Sequence, residues 1–230
     1  MFWIPPRKRD KYDPVFANNT WAQIIKACQN KEVPETWTVG SQKAMTINGT
    51  DYPIDIIGKG HDDYSDGSGK APLTFQMHDC YIYPNMMNGG SGSNDGGWAN
   101  CYMRTNEKAL PRISAYMPSE VQTAIREVNK LTSEGHMSDV ISTTADKLFL
   151  LSEIEVFGSA TNSESGEGTQ YEYYKVGNSK AKIRHGFESE WWTRSPYSSN
   201  FSSFCRVESD GTSYFRSAQF DDGIAFAFCF

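Results

Sequence analysis

Trp191-Trp192-Thr193-Arg194-Ser195-Pro196 and, at the end of the chain, Gly223-Ile224-Ala225-Phe226-Ala227-Phe228-Cys229-Phe230 are two stiff, largely apolar blocks that frame a softer stretch. Between them, Tyr197 to Asp222 holds six aromatics and seven serines but no Lys, Leu, Ile or Met. Tyr and Phe supply rigid contact area at little rotamer cost, while Ser, Asn and Asp supply adaptable hydrogen bonds. This composition suits a binding surface. It equally suits a serine-rich pair of ordinary surface strands. The closing block predicts a chain that ends inside its own sheet.

Working outward from this frame, the pattern reads as one α+β domain over residues 19–230, with two or three helices, many short strands and long irregular loops. Residues 1–18 mix Pro, Arg, Lys and Asp without periodicity and read as an arm or linker. Asn19-Thr20 caps a helix in which Trp21, Ile24, Ile25 and Cys28 recur at helical spacing. Thr36 to Val39 and Ala44 to Ile47 alternate as strands, and Asn48-Gly49 marks a hairpin into Tyr52 to Ile57. Leu73 to Met77 and Lys147 to Leu151 fit buried strands. Asn88 to Gly97 is a long irregular loop. A short helix is expected from Cys101, and Pro118-Ser119-Glu120 opens a longer one with Val121, Ile125, Val128 and Leu131 inward.

The 230 residues are enough for a sizeable core, and a net charge of −6 argues against a nucleic-acid partner or an anionic membrane surface. The basic cluster Arg7-Lys8-Arg9 is short and is followed by Asp10 and Asp13, which reads as a solvated patch. No run reaches the roughly 18 apolar residues of a membrane span, and the N-terminus lacks the apolar core of a secretory signal. Cysteines at 28, 80, 101, 205 and 229 form no CxxC pair. Cys28 reads as a small core hydrophobe, while Cys205 and Cys229, both on expected strands, either face one another as a disulfide or stay free.

Few residues suggest reaction chemistry. The polar loop His61 to Lys70 has enough acids for calcium but lacks an EF-hand pattern, so turn-capping aspartates are the simpler account. Neither Gly-x-Ser-x-Gly nor a Cys–His spacing marks a nucleophile. His61, His78, His136 and His185 are scattered in polar surroundings, and Gly90-Ser91-Gly92-Ser93 has loop composition. Ser152-Glu153-Ile154-Glu155-Val156 alternates, which puts both glutamates on the solvated face of a strand. No phosphate loop or dinucleotide fingerprint occurs, and no cofactor or metal is expected.

Phe75 and Asp79, Gly96-Gly97-Trp98, Met103-Arg104, Leu148 to Gly158, Gly166 to Tyr171 and the two framing blocks occur in that order. The series resembles an uncharacterised domain family common in phage and prophage proteins and some bacterial surface proteins, whose fold looks like the C-type-lectin fold. The resemblance covers roughly residues 35–230. It implies a C-type-lectin-like scaffold with variable loops on one face, similar to the variable proteins of diversity-generating retroelements. In those proteins C-terminal positions are mutagenised while framing residues hold the fold. The Glu-Pro-Asn and Trp-Asn-Asp motifs of animal lectins are absent, so calcium-dependent sugar binding is not implied. The paired cysteines of the distantly similar formylglycine-generating enzymes are absent too.

The resulting expectation is a non-enzymatic binding protein of a phage virion or bacterial cell surface, with a host-surface protein or glycan as ligand and possible homo-oligomers. Tyr197, Asn200, Phe201, Phe204, Arg206, Tyr214, Arg216, Gln219, Asp221 and Asp222 are the expected contacts. Val207, Gly211, Phe215 and Ala218 read as frame. The alternative is a capsid or tail decoration protein that docks on other virion proteins through Met1 to Asp13. An enzyme of the formylglycine-generating type, acting through Cys205, is a third.

Overall fold

Tyr12 and Phe16, placed by sequence in the arm, are buried against Trp37 with ring centroids 5.8 and 5.4 Å away. Packing therefore begins ahead of the expected boundary at residue 19. These positions come from a computed structural model that describes residues 11–90 and 92–230. Met1-Phe2-Trp3-Ile4, Arg7-Lys8-Arg9 and Ser91 lie outside the described residues.

Helix α1 (Trp21–Gln29) forms where the apolar stripe predicts it. The Thr20 hydroxyl accepts the Gln23 N–H at 3.2 Å and the Gln23 side chain accepts the Thr20 N–H at 2.8 Å, a reciprocal capping box. Cys28 is buried on its inner face. Strands β1 (Gln42–Ile47) and β2 (Thr50–Gly58) form the expected hairpin. Asn48 and Gly49 take φ of 51° and 77°, the left-handed pair that a type I′ turn needs. Thr36 to Val39 is a turn rather than a strand. Trp37 is buried there by aromatic neighbours, and its Nε1 donates to the Asp13 carbonyl at 3.0 Å, so no sheet partner is involved.

Strand β3 (Thr74–Met77) is wholly buried, and four short helices follow: α2 (Gly97–Asn100), α3 (Tyr102–Thr105), α4 (Leu110–Ala115) and α5 (Ser119–Ala124). The long helix expected after Pro118 stops at Ala124. Val128–Ser133 is strand β4, paired with β5 (Ile141–Asp146), and Leu131 faces outward at 39% exposure. The inward residues are Val128, Lys130 and Thr132, a period of two that apolar spacing hides because its middle member is a lysine.

The remaining elements are β6 (Leu148–Phe149), α6 (Glu153–Phe157), α7 (Glu172–Lys175), β7 (Lys182–Arg184), β8 (Phe187–Ser189), β9 (Trp191–Pro196), β10 (Ser203–Val207), β11 (Ser213–Ser217) and β12 (Ala227–Cys229). Five strands form one sheet in the order β1-β2-β3-β12-β6. The last strand thus sits between β3 and β6, antiparallel to both, and the chain ends inside its own sheet as expected. Phe228 stacks on Phe75 at 5.2 Å, and Trp21 of α1 meets Phe75 edge-on at 5.8 Å. A second sheet, β11-β10-β9, carries the framed C-terminal segment. The domain is a mixed α and β architecture with many short strands and few helices.

Candidate functional site

Every residue of β9 is buried, and Arg194 at its centre is 0% exposed. A buried guanidinium is tolerable only when its donors are used. Arg194 grips Glu155 with Nη1 at 2.5 Å and Nη2 at 3.0 Å, and also donates to the carbonyls of Leu150, Leu131 and Glu167 and to the Thr132 hydroxyl. Beside it, buried Lys130 lies 2.7 Å from both Asp62 and Glu155 and donates to the Tyr171 hydroxyl at 3.1 Å. Burial opposes the charge on Asp62, yet Lys130 with its hydrogen bond and Thr74 hold its carboxyl down to about 2. Burial pushes Glu167 the other way, up to about 7, although the Ser133 N–H and Ser195 hydroxyl donate to it.

This network overturns the strand expected at Ser152 to Val156. The segment starts helix α6, in which Ser152 and Glu155 form a capping box, and Glu153 and Glu155 are 0% and 2% exposed. Glu153 accepts the N–H groups of Thr161, Asn162 and Ser163 at 3.1, 2.9 and 2.8 Å, and the Ser213 hydroxyl of β11. It ties the outer strand of the C-terminal sheet to the frame. Among the described residues, each buried side-chain nitrogen or oxygen has a hydrogen-bond partner. A saturated network of this kind rigidifies the frame that carries the C-terminal sheet.

The ten expected contacts divide. Phe201, Tyr214, Gln219 and Asp221 are exposed, while Tyr197, Asn200, Arg206 and Arg216 are half-buried. Phe204 and Asp222 offer a ligand no surface. Phe204, on the middle strand between Pro196 and Arg216, is 0% exposed, and Asp222 is the buried anion on which Arg206 and Arg216 converge at 3.1 and 2.6 Å. Arg206 is further spent on Glu208 at 2.8 Å. Asn200 shapes its own turn, its Oδ1 accepting the N–H groups of Ser202 and Ser203 at 2.9 Å each. Tyr197 stacks on Phe215 at 3.7 Å and Phe215 on Tyr214 at 4.7 Å, an aromatic ladder that ends in the exposed tyrosine. Val207 and Ala218 are buried as frame, and Gly211, at φ 85°, makes the turn between β10 and β11.

Two contributors are not evident from sequence. Phe220 is 52% exposed with the Arg216 guanidinium 4.3 Å above its ring. Asn94, fully buried, joins three loops: its Nδ2 donates to the carbonyls of Asn200 and Ser203 at 2.9 and 2.8 Å, and its Oδ1 accepts the His136 N–H at 2.8 Å. Gly135, His136 and Met137 all have positive φ, and a Cβ at Gly135 would sit 1.8 Å from the Asn94 carbonyl oxygen. Glycine at 135 and the isolated Asn94 were the available signals, but neither names its partner.

Besides Asp62, the acids of the polar loop are also taken up by partners within the chain. Asp63 pairs with Lys70 at 3.0 Å, and Asp66 accepts the Ser68 N–H at 2.9 Å and pairs with Arg126. His61 stacks on Tyr171, and His78 Nδ1 lies 2.7 Å from Asp55. Among the described residues, no three His, Cys, Asp or Glu side chains are grouped to hold a metal ion. Cys205 and Cys229 lie on strands of different sheets and are free, so they do not face one another. Burial pushes both thiols well above their ordinary value, which removes the thiolate that nucleophilic chemistry would need.

Comparison with known proteins found no matching curated protein and no matching solved structure. A family model does match, over residues 80–229, from the loop after β3 through α2–α7 and both framing blocks to the end of β12. Its last strand completes a sheet whose other half, β1 to β3, precedes the match. On this extent, the chain belongs to the family described as domain of unknown function DUF6273.

Proposed function

We propose that this domain is a non-enzymatic binding module with a C-type-lectin-like fold, which presents its C-terminal sheet and the adjoining loops to a host-surface protein or glycan from a phage particle or bacterial surface. One observation carries the reading: Phe201, Tyr214 and Phe220, at 58, 51 and 52% exposure, stand outside a segment whose flanking blocks are entirely buried. Exposed aromatics beside a half-buried arginine are the residue types that dominate binding energy at protein interfaces. In support, the buried charge network of Asp62, Lys130, Glu155, Glu167 and Arg194 lies outside Tyr197 to Asp222, so changes at the exposed positions of that segment leave it intact.

The test is simultaneous alanine replacement of Phe201, Tyr214 and Phe220, with binding to host cells and thermal unfolding measured together. Loss of binding with a midpoint within a few degrees of the parent supports the reading. Retained binding overturns it, and loss of folding would show that these rings stabilise the domain instead.

A further inference from the structure

A groove of about 490 Å³ opens between the Asn48 hairpin tip, the Tyr81–Met86 loop and α4, beyond the edge of the C-terminal sheet. Its size lies in the range of about 300–1,000 Å³ typical of small-ligand sites. The apolar residues along it, Ala109, Ile113 and Ile224, are 1, 4 and 1% exposed. Three tyrosines line it: Tyr81 is buried, whereas Tyr83 and Tyr116 are 60% and 38% exposed. The rings are held in place, since Tyr81 packs on Tyr52 at 5.6 Å and meets Tyr83 edge-on at 5.9 Å. The groove is therefore a ring-lined slot with an apolar base.

It is lined by two cations, Lys108 and Arg112, and one anion, Asp221. Among the described arginines, Arg104, Arg126, Arg194, Arg206 and Arg216 each pair with a carboxylate, Arg184 donates to the Ser189 hydroxyl at 3.3 Å outside the groove, and Arg112 is the arginine that lines it. Arg112 donates its Nε–H to the Tyr116 hydroxyl at 3.2 Å and its guanidinium lies 5.9 Å from the centroid of the same ring, while its terminal N–H groups make no hydrogen bond among the described residues. Lys108 lines the same groove and likewise forms no ion pair among the described residues. A guanidinium with an open planar fork matches a carboxylate, and an ammonium beside it adds attraction without fixing geometry. Asp221, which carries no cation partner among the described residues, also lines the groove and can accept from a hydroxyl or N–H.

We propose that this groove binds a small ring compound bearing a carboxylate. The ring lies against Tyr83 and Tyr116, the carboxylate takes the free fork of Arg112 with Lys108 nearby, and a polar hydrogen on the ring reaches Asp221. An aromatic acid and a uronic sugar both supply this chemistry. The groove shares Asp221 with the expected C-terminal contacts, but Phe201, Tyr214 and Phe220 do not line it, so loss of those rings and loss of Arg112 are separable.

The experiment is an NMR titration of the full ¹⁵N-labelled chain with 4-hydroxyphenylacetate and with galacturonate, each paired with a neutral counterpart, 4-hydroxyphenylacetamide and galactose. At least one acid should bind with a Kd of about 1 mM or tighter and shift resonances of Tyr83, Arg112 and Tyr116, and its neutral partner should bind about ten-fold more weakly. Which acid binds identifies the ring. Arg112→Gln, at an exposed position, should weaken the acid by the same factor, and Tyr214→Ala should leave it unchanged. The proposal is overturned if neither acid binds, if acid and neutral partner bind alike, or if Arg112→Gln has no effect.

Discussion

Arg194 and Glu155 form a bidentate ion pair, at 2.5 and 3.0 Å, in which neither side chain is more than 3% exposed. The pair joins β9 of the C-terminal sheet to α6 and shares Glu155 with Lys130. Below about pH 7, where Glu167 holds its proton, the local count is two cations, Arg194 and Lys130, against two anions, Asp62 and Glu155. Glu155→Gln keeps the shape but leaves two buried cations facing one anion. The expected cost is about 3–5 kcal/mol, the range for breaking a buried pair from one side. Urea unfolding checks it, and a loss under about 1 kcal/mol would show that the pair is interchangeable with neutral hydrogen bonds.

Glu167 responds to pH in the opposite sense from Asp62. Burial raises its folded value to about 7 from an ordinary 4.5, so the folded state holds the proton more tightly than the unfolded chain. Its contribution is complete below about pH 4.5 and is lost as pH rises through about 7. Asp62, held at about 2 against an ordinary 3.8, contributes above pH 3.8 and loses that contribution as pH falls toward 2. The thermal midpoint should therefore decline from pH 5 to pH 8, and Glu167→Gln should flatten that decline. An unchanged slope in the variant would falsify the assignment.

Legibility in the sequence followed the source of each burial. Where apolar residues repeat, as at Trp21, Ile24, Ile25 and Cys28, or where Asn48-Gly49 demands left-handed backbone, local pattern predicts the element correctly. Where burial depends on a distant partner, it does not. Lys130 looks like the polar side of a helix until Asp62 and Glu155 are beside it, and Glu155 looks solvated until Arg194 arrives from 39 residues away. The same blindness affected the site. Phe201 and Tyr214 were readable as exposed aromatics, but Asp222 differs from Asp221 only through the two arginines that turn it inward.

Glu153 links the frame to the outer strand β11 and should control the order of that strand more than the stability of the core. Glu153→Ala removes the acceptor for the N–H groups of Thr161, Asn162 and Ser163 and for the Ser213 hydroxyl. Amide exchange at Thr161 to Ser163 should rise by about a hundred-fold, equivalent to about 2.7 kcal/mol of local protection, while exchange in β12 tracks global stability. A uniform increase throughout the domain would mean that Glu153 supports the whole fold.

Asn94 offers the sharpest separation of surface from scaffold. Its side chain holds the Asn200–Ser203 turn and the His136 backbone together, and Phe201, with its ring 5.9 Å from that of His136, lies over the junction. Asn94→Ala deletes these bonds and leaves the Asn200 carbonyl and the His136 amide to find other partners, at a cost of about 1–3 kcal/mol each if they stay dry, while the Ser203 carbonyl keeps the Tyr197 N–H at 3.0 Å. Because the junction lies near the surface, water can enter and limit the loss, so the domain should stay folded with a modestly lower thermal midpoint. The Phe201 loop should then lose its fixed position. Ligand binding should fall about ten-fold or more through loss of preorganisation, although no proposed contact residue has been altered. Binding that survives Asn94→Ala but not Phe201→Ala would show that the ring alone matters and that the loop junction does not position it.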